Sequence, residues 1–478
     1  MKSNTFNQIF NRQISFELTH DQSCFVDQMQ KFLKSTERKK VFVLKGYAGT
    51  GKTTMVSGVI KSLDYLKKRT FLMAPTGRAA KVLSSYSNKE AATIHRKIYF
   101  QKSTNDGVHF VRQKNLHKNT LFIVDEASMI GGSGGSGGSF ISKNKSLLED
   151  LMEYVFEGEG CSLMLVGDIA QLPPVGLSLS PALNDERLEY EFKLEIFDQE
   201  LREVVRQQQE SGILYNANRV RQYAVGAQKG QPLFAIDEFK DFHSINGETL
   251  EDEINSCYGK YGVDNCLILT RSNKRANLFN KHIRARILWM EDKLSSGDLM
   301  MVVKNNYFWV AEEHNSFIAN GDILQISRVN FFEDCFGFSF ADVEVRLKDY
   351  GHLPEFNVKL LLDPIDADGP SISREDNFRL YQEILNSYEN VRSEVKKREL
   401  IKKDPYYNAL HVKFAYAVTC HKSQGGQWDA VFVEQGYITD EMINQEWSRW
   451  LYTAVTRAKE ELYLVNFHPK FIEGADYL

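Results

Sequence analysis

Residues Gly46 to Thr53 read Gly-Tyr-Ala-Gly-Thr-Gly-Lys-Thr, a complete phosphate-binding loop. The apolar run Val41-Phe42-Val43-Leu44 leads into it, and a helical pattern through Met55, Val56, Val59 and Ile60 follows. Strand, loop and helix in that order are the context the motif needs. Its chemistry is the holding of a nucleoside triphosphate. Backbone around Gly46, Ala48, Gly49, Thr50 and Gly51 forms a nest for the phosphates of ATP, and the helix start at Thr54 adds partial positive charge. Lys52 reaches the β/γ-phosphates, and the Thr53 hydroxyl binds Mg²⁺.

A second set of groups suits hydrolysis. The apolar run Leu121–Val124 ends in Asp125-Glu126-Ala127-Ser128. Asp125 would hold Mg²⁺, through water or directly, and Glu126 would orient and deprotonate the attacking water. The next apolar run, Ser162–Val166, ends in Gly167-Asp168-Ile169-Ala170-Gln171-Leu172-Pro173-Pro174-Val175-Gly176. Asp168 and Gln171 are placed to sense the γ-phosphate, and the two prolines read as a closing turn.

Elements to position these groups follow from the pattern. Strand-like runs at Val41–Leu44, Thr70–Met73, Leu121–Val124 and Ser162–Val166 alternate with helical patterns, the signature of a parallel α/β sheet. Asn105-Asp106-Gly107 marks a hairpin within 100–116. A second α/β set begins near Leu194, pauses after Ile268–Thr270 and resumes at Ala415–Val418, Ala430–Val433 and Leu462–Val465. Between them, 297–362 alternates like short antiparallel strands, with turns at Asn320-Gly321 and Asp349–Gly351, and 375–403 reads as one helix through Phe378, Tyr381, Leu385, Tyr388, Val391 and Val395. Residues 131–139 are Gly-Gly-Ser three times over, a flexible-linker composition. A natural low-complexity loop and an engineered replacement both read this way.

Composition sets bounds. The chain has 478 residues, 42% hydrophobic and 26% charged, a globular balance long enough for more than one domain. With 59 basic and 63 acidic side chains the net charge is −4, so any track for nucleic acid must be local. The six cysteines are scattered without a CxxC pair, which reads as reduced thiols in a cytoplasmic protein. The sequence shows neither a membrane-length apolar stretch nor a signal-peptide core at its start.

GDxxQLPPVG following a DEAS box resembles superfamily 1 helicases, and specifically the RecD-like and Dda-like enzymes of the 5′-to-3′ branch. The resemblance covers nearly the whole chain. Ala74-Pro75-Thr76-Gly77-Arg78-Ala79-Ala80-Lys81 resembles the first DNA-contact motif and Ala92-Thr93-Ile94-His95 the next. Arg206 resembles the first arginine finger. Phe414–Asp429, with Thr419, His421, Lys422, Ser423, Gln424 and Gly425, resembles the motif coupling DNA to nucleotide. Tyr452–Ala458 resembles the last motif, whose arginine, Arg457, reaches the γ-phosphate. One departure is Gln427, where many relatives carry Glu for a ribose contact.

The resemblance implies two RecA-like parallel-sheet domains, 1–185 and 186–284 with 411–478. It also implies a hairpin insertion in the first and an SH3-like β-barrel insertion with a helical extension, 285–410, in the second. Expected function is ATP- and Mg²⁺-dependent 5′-to-3′ movement on single-stranded DNA with unwinding at duplex junctions, by a monomer, away from membranes. Contacts to the strand fall to Pro75, Thr76, Thr93, His95, Thr419, His421, Lys422 and Ser423, with Phe110 as a strand-separating pin. Residue chemistry leaves alternatives. Thr76 and Thr93 also suit helix caps. Thr19-x-x-Gln22 is a capping-box pattern, whereas the family implies a Gln22 amide on adenine. Phe100 suits hairpin packing or a pin, and Arg78, Lys81 and the run Lys396-Lys397-Arg398 suit solvated helix faces. An RNA motor, a non-unwinding remodeller and a small-molecule kinase are competing activities. The coupling motif argues against the remodeller; Arg457 and the DEAS box argue against the kinase.

Overall fold

The computed structural model describes residues 5–104, 107–131, 145–205, 211–306, 308–309, 318–348 and 353–474, with backbone alone for 101–110 and 394. The first half runs α1 (Phe6–Gln13), α2 (His20–Lys34), β1 (Lys40–Gly46), α3 (Lys52–Tyr65), β2 (Arg69–Ala74), α4 (Gly77–Ser87), β3 (Ala91–Thr93) and α5 (Ile94–Ile98). A two-stranded hairpin follows, β4 (Tyr99–Thr104) and β5 (Gly107–Arg112). Then come β6 (Thr120–Val124), α6 (Leu147–Glu157), β7 (Ser162–Gly167), α7 (Asp185–Phe192) and β8 (Glu195–Leu201). Six strands form one parallel sheet in the order β3-β2-β6-β7-β1-β8. Its central strands are apolar at nearly every position because helices cover both faces. Phe25, Phe32, Phe42, Val56 and Ile60 pack on one face. Ile94, Phe122, Leu151 and Tyr154 pack on the other.

The second half begins with α8 (Gly212–Ala224), β9 (Phe242–Ile245), α9 (Leu250–Tyr261), β10 (Cys266–Thr270) and α10 (Asn273–His282). It is interrupted by β11 (Leu299–Val302), β12 (Ile323–Cys335), β13 (Phe338–Leu347), β14 (Phe356–Leu361), α11 (Asp363–Asp366), α12 (Arg374–Ser387), α13 (Glu394–Lys402) and β15 (Leu410–Phe414). It closes with β16 (Ala417–Thr419), β17 (Trp428–Glu434), α14 (Gln445–Val455) and β18 (Ala458–Val465). The second parallel sheet has the order β16-β10-β17-β18-β9, and β11 to β15 form a closed five-stranded barrel. The α/β class with two parallel sheets, a hairpin in the first and a barrel in the second therefore agrees with the sequence reading.

Three expectations need correction. The run from Leu194 does not open the second sheet: β8 pairs in parallel with β1 from Lys40↔Glu195 to Gly46↔Leu201, at the edge of the first. Strand periodicity identifies a strand but not the sheet that receives it. Residues 410–414 close the barrel against β11 and β14. The predicted helix over 375–403 is two helices. The first ends at Ser387, and Val391 N–H turns back to the Tyr388 carbonyl. Ser393 then caps the second by accepting from Lys396 N–H. Leu380 and Ile384 are the buried face, while Phe378 and Val395 are exposed. The Asn320-Gly321 turn is present, with Gly321 at φ 95°. The turn at 349–351 and all but Gly131 of the Gly/Ser tract lie outside the described residues.

A buried ion pair fastens the barrel to the second sheet. Arg284, just beyond α10, donates twice to the Asp298 carboxylate, each bond 2.9 Å. Asp298 also accepts from Tyr416 Oη at 2.8 Å and Ser295 N–H at 2.7 Å. Removing one partner leaves the other charge buried without compensation. Asp298→Ala is therefore expected to cost about 3–5 kcal/mol, read as a lowered denaturant midpoint. A cost below about 1 kcal/mol, the worth of an exposed pair, would contradict this role for the cluster.

Candidate functional site

The first sheet sets the site by strand order alone. β2, β6, β7 and β1 are neighbours, so the residues following their C-terminal ends share one edge. These are Pro75-Thr76, Asp125-Glu126, Asp168 and the phosphate loop. Within that loop Gly49 and Gly51 have φ of 75° and 83°, a left-handed conformation that side chains resist. Thr53 and Thr54 are exposed at the start of α3, while Thr50 is buried and bonds the Tyr47 carbonyl. Lys52 folds back over the loop, donating to the Gly46 and Tyr47 carbonyls at 2.7 and 2.8 Å. Its ammonium stands 3.7 Å from Asp168 Oδ2.

Gln22 is buried and does two jobs here. Its Oε1 accepts from Thr19 N–H, completing the capping box of α2, and its Nε2 donates to the Thr50 carbonyl at 3.1 Å. The cap pattern read from sequence is thus present, and the spare amide donor braces the phosphate loop.

Asp125 and Glu126 stand half-buried at the tip of β6. Asp125 accepts from Tyr86 Oη at 2.7 Å and from Glu126 N–H at 2.8 Å. Glu126 has φ 54°, unusual for a side-chain-bearing residue, which turns it off the end of β6. Burial pushes both carboxyls up from their ordinary values; Tyr86 pulls Asp125 back, and Arg457 pulls Glu126 back. A carboxyl raised in this way is better matched to taking a proton near neutral pH. Gln171 Oε1 is buried with no hydrogen-bond partner among the described residues. A buried acceptor in that state fits a ligand donor or a water brought in with a ligand.

The second domain closes over this edge. Arg457 is buried and donates to the carbonyls of Thr453 and Gly426 and to Thr456 Oγ1. Tyr452 Oη accepts from Ala48 N–H and donates to Asp168 Oδ2, both at 2.8 Å. Thr453 Oγ1 accepts from Leu172 N–H at 2.8 Å, and Gln424 Nε2 donates to the Leu172 carbonyl at 2.6 Å. Gly425, at φ 75°, touches α4, where a Cβ would come 2.8 Å from Ala79. The Arg221 guanidinium lies 4.5 Å from the Tyr47 ring. Arg206 lies outside the described residues.

Expected nucleic-acid contacts divide into two groups. Thr76 and Thr93 cap α4 and α5, accepting from Ala79 and Arg96 N–H. Thr93 is buried, and Ser423 is buried with its hydroxyl donating to the Cys420 carbonyl, so neither presents a free surface hydroxyl. Burial pushes the His95 imidazole down to about 4, leaving it neutral at pH 7. Pro75, Thr419 and Lys422 are half-buried and His421 exposed along the rim. Lys422 Nζ is itself buried with no hydrogen-bond partner among the described residues, and burial lowers it to about 8. Arg78 does not face solvent alone: its guanidinium stacks 3.8 Å from the Trp428 ring and donates to the Gln427 carbonyl. Lys81 reaches the Lys348 carbonyl at 3.1 Å. Phe110, the expected pin, lies outside the described side chains. The α13 helix bearing the basic run packs against β5 of that hairpin.

Tyr86, Tyr452 and Arg221 were not singled out from sequence. Tyr452 stands inside a quoted motif, a usable signal. Tyr86 and Arg221 are ordinary helix positions until the fold brings them to the cleft.

Family comparisons agree with this arrangement. Residues 29–177 match the model of an AAA domain, and 414–465 match that of a UvrD-like helicase C-terminal domain. The uncharacterized protein R530 of Acanthamoeba polyphaga mimivirus is 26% identical over 88% of this chain and 94% of its own length. The ATP-dependent RecD2 DNA helicase of Deinococcus radiodurans is 31% identical over 34% of this chain, a match spanning 19% of that protein. A crystal structure of Pif1 helicase from Bacteroides with ADP-AlF3 and ssDNA aligns over 95% of this chain and 93% of its own, at 15% identity and TM-score 0.47. The two family models and the RecD2 match agree with the superfamily 1 resemblance of RecD-like and Dda-like type read from the motifs, and with an ATP-dependent enzyme.

Gln22→Glu keeps the acceptor for Thr19 N–H but loses the donor to Thr50. The expected result is a nearly unchanged α2 cap and nucleotide affinity weaker by roughly fivefold or more, since a buried carbonyl is left unpaired. Fluorescent-nucleotide titration checks this; unchanged affinity would confine Gln22 to capping.

Proposed function

We propose that this chain is an ATP-driven motor that moves 5′ to 3′ on single-stranded DNA and separates duplex ahead of it. The observation that carries the reading is the meeting of groups from two sheets at one cleft: the phosphate loop, Asp125 and Glu126 from the first, Arg457 and Tyr452 from the second. In this reading Lys52 leaves its carbonyl partners for the β/γ-phosphates. Glu126 takes a proton from the attacking water. Arg457 stabilises charge on the transferred phosphoryl group. Thr53 and Asp125 would hold Mg²⁺, which neutralises phosphate charge. Two protein oxygens suit an ion whose remaining sites are filled by phosphate and water.

Hydrolysis then alters how the second domain sits on the loop. Movement follows if each domain grips the strand alternately, and gripping needs phosphate contacts rather than base readers. Pro75, Thr76 and His95 on one domain and Thr419, His421 and Lys422 on the other flank that path. DNA as substrate is supported by the likeness to the RecD2 DNA helicase of Deinococcus radiodurans, of which the match spans about a fifth. Direction is supported by the family motifs.

Two partial duplexes, one with a 5′ tail and one with a 3′ tail, test the proposal with ATP and Mg²⁺. Unwinding of the 5′-tailed substrate alone is expected. Unwinding only from the 3′ tail would reverse the direction, and DNA-stimulated ATPase without unwinding would leave a translocase or remodeller. Strand affinity has a pH signature as well. The Lys422 ammonium is charged below about 8 and neutral above it. Single-strand affinity should therefore fall between pH 7 and 9, and Lys422→Arg should flatten that fall. An equal fall in both proteins would remove Lys422 from the grip.

A further inference from the structure

The Tyr452 hydroxyl occupies a position with a competitor. It accepts from Ala48 N–H at 2.8 Å, and Ala48 belongs to the phosphate loop. It donates its one proton to Asp168 Oδ2 at 2.8 Å. Asp168 is itself buried, with Oδ1 accepting from Ala170 N–H and Oδ2 3.7 Å from Lys52 Nζ. The ring is fully buried, so the hydroxyl has one orientation rather than a choice with water. Burial and the Asp168 charge also keep the phenol protonated far above neutral pH. An oxygen from the second domain thus sits on a main-chain donor of the first domain's phosphate nest, as a phosphate oxygen would. Other bonds across the same seam, Thr453 to Leu172 N–H and Gln424 to the Leu172 carbonyl, avoid the loop.

We propose that Tyr452 is a positioning residue that reports nucleotide occupancy between the domains. Without nucleotide its hydroxyl fills the Ala48 donor and holds Asp168. A phosphate oxygen arriving at Ala48 displaces it, freeing both Asp168 and α14, the helix leading to Arg457. Loop occupancy and arginine placement are then two readings of one equilibrium. This rests on the nucleotide-binding reading given above.

Tyr452→Phe keeps the ring and removes both bonds. Affinity for a fluorescent ADP analogue should tighten, by roughly threefold to tenfold, the worth of one competing neutral hydrogen bond. At the same time kcat with single-stranded DNA should fall while KM for ATP does not rise. A purely structural tyrosine would give the reverse: weaker binding alongside a lower Tm. Thr453→Val loosens the same seam without touching the loop, and its ADP affinity should stay within about twofold of the parent. Unchanged or weaker binding in Tyr452→Phe, or equal tightening in Thr453→Val, would overturn the proposal. Absence of ADP binding by the unmodified protein would instead reject the phosphate-loop reading itself.

Discussion

A loop of backbone N–H groups can hold a triphosphate only if its shape is fixed before the ligand arrives. Here the fixing comes from both ends. β1 is buried between two neighbours, β7 and β8, and cannot shift without breaking ladders on both sides. α3 begins directly at Lys52, and its buried face packs into the apolar layer with Phe25 and Phe42. Gln22 braces the loop from below through the Thr50 carbonyl, and Tyr452 closes it from above. Every chemical group in the cleft is placed relative to this turn.

The second constraint is that one cleft is built from both domains. Its floor is the C-terminal edge of the first sheet; its roof is Tyr452, Gln424 and Arg457. Both are lined by bonds that cross between domains. Arg78, on the helix capped by Thr76, stacks on Trp428 beside Gly426. Gly426 in turn accepts from Arg457. A short chain of contacts therefore links α4 to Arg457.

The barrel and its helices stand outside the cleft yet are tied firmly to it. The Arg284–Asp298 cluster joins the barrel to the second sheet, and α13 reaches back to the hairpin of the first domain. The inserted part thus touches both halves.

Much of this was legible from local signals. The phosphate loop, the Asp125-Glu126 pair, Asp168 at its strand tip, the capping box at Thr19 and the alternating block that became the barrel all depend on neighbours in sequence. Glycine, proline, cap residues and period-two alternation act over a few residues, so sequence alone determined them. What it could not determine was which distant surfaces meet. β8 looks like the start of a second sheet until its pairing with β1 is seen. Ser423 and Thr93 look like surface hydroxyls until tertiary packing buries them, and Arg78 looks solvated until Trp428 arrives from the other domain. Tyr452 on Ala48, Tyr86 on Asp125 and Arg457 near Glu126 join residues far apart along the chain. Hydrogen bonds and burial are decided by position in space, and only the folded arrangement of the two sheets supplies those positions.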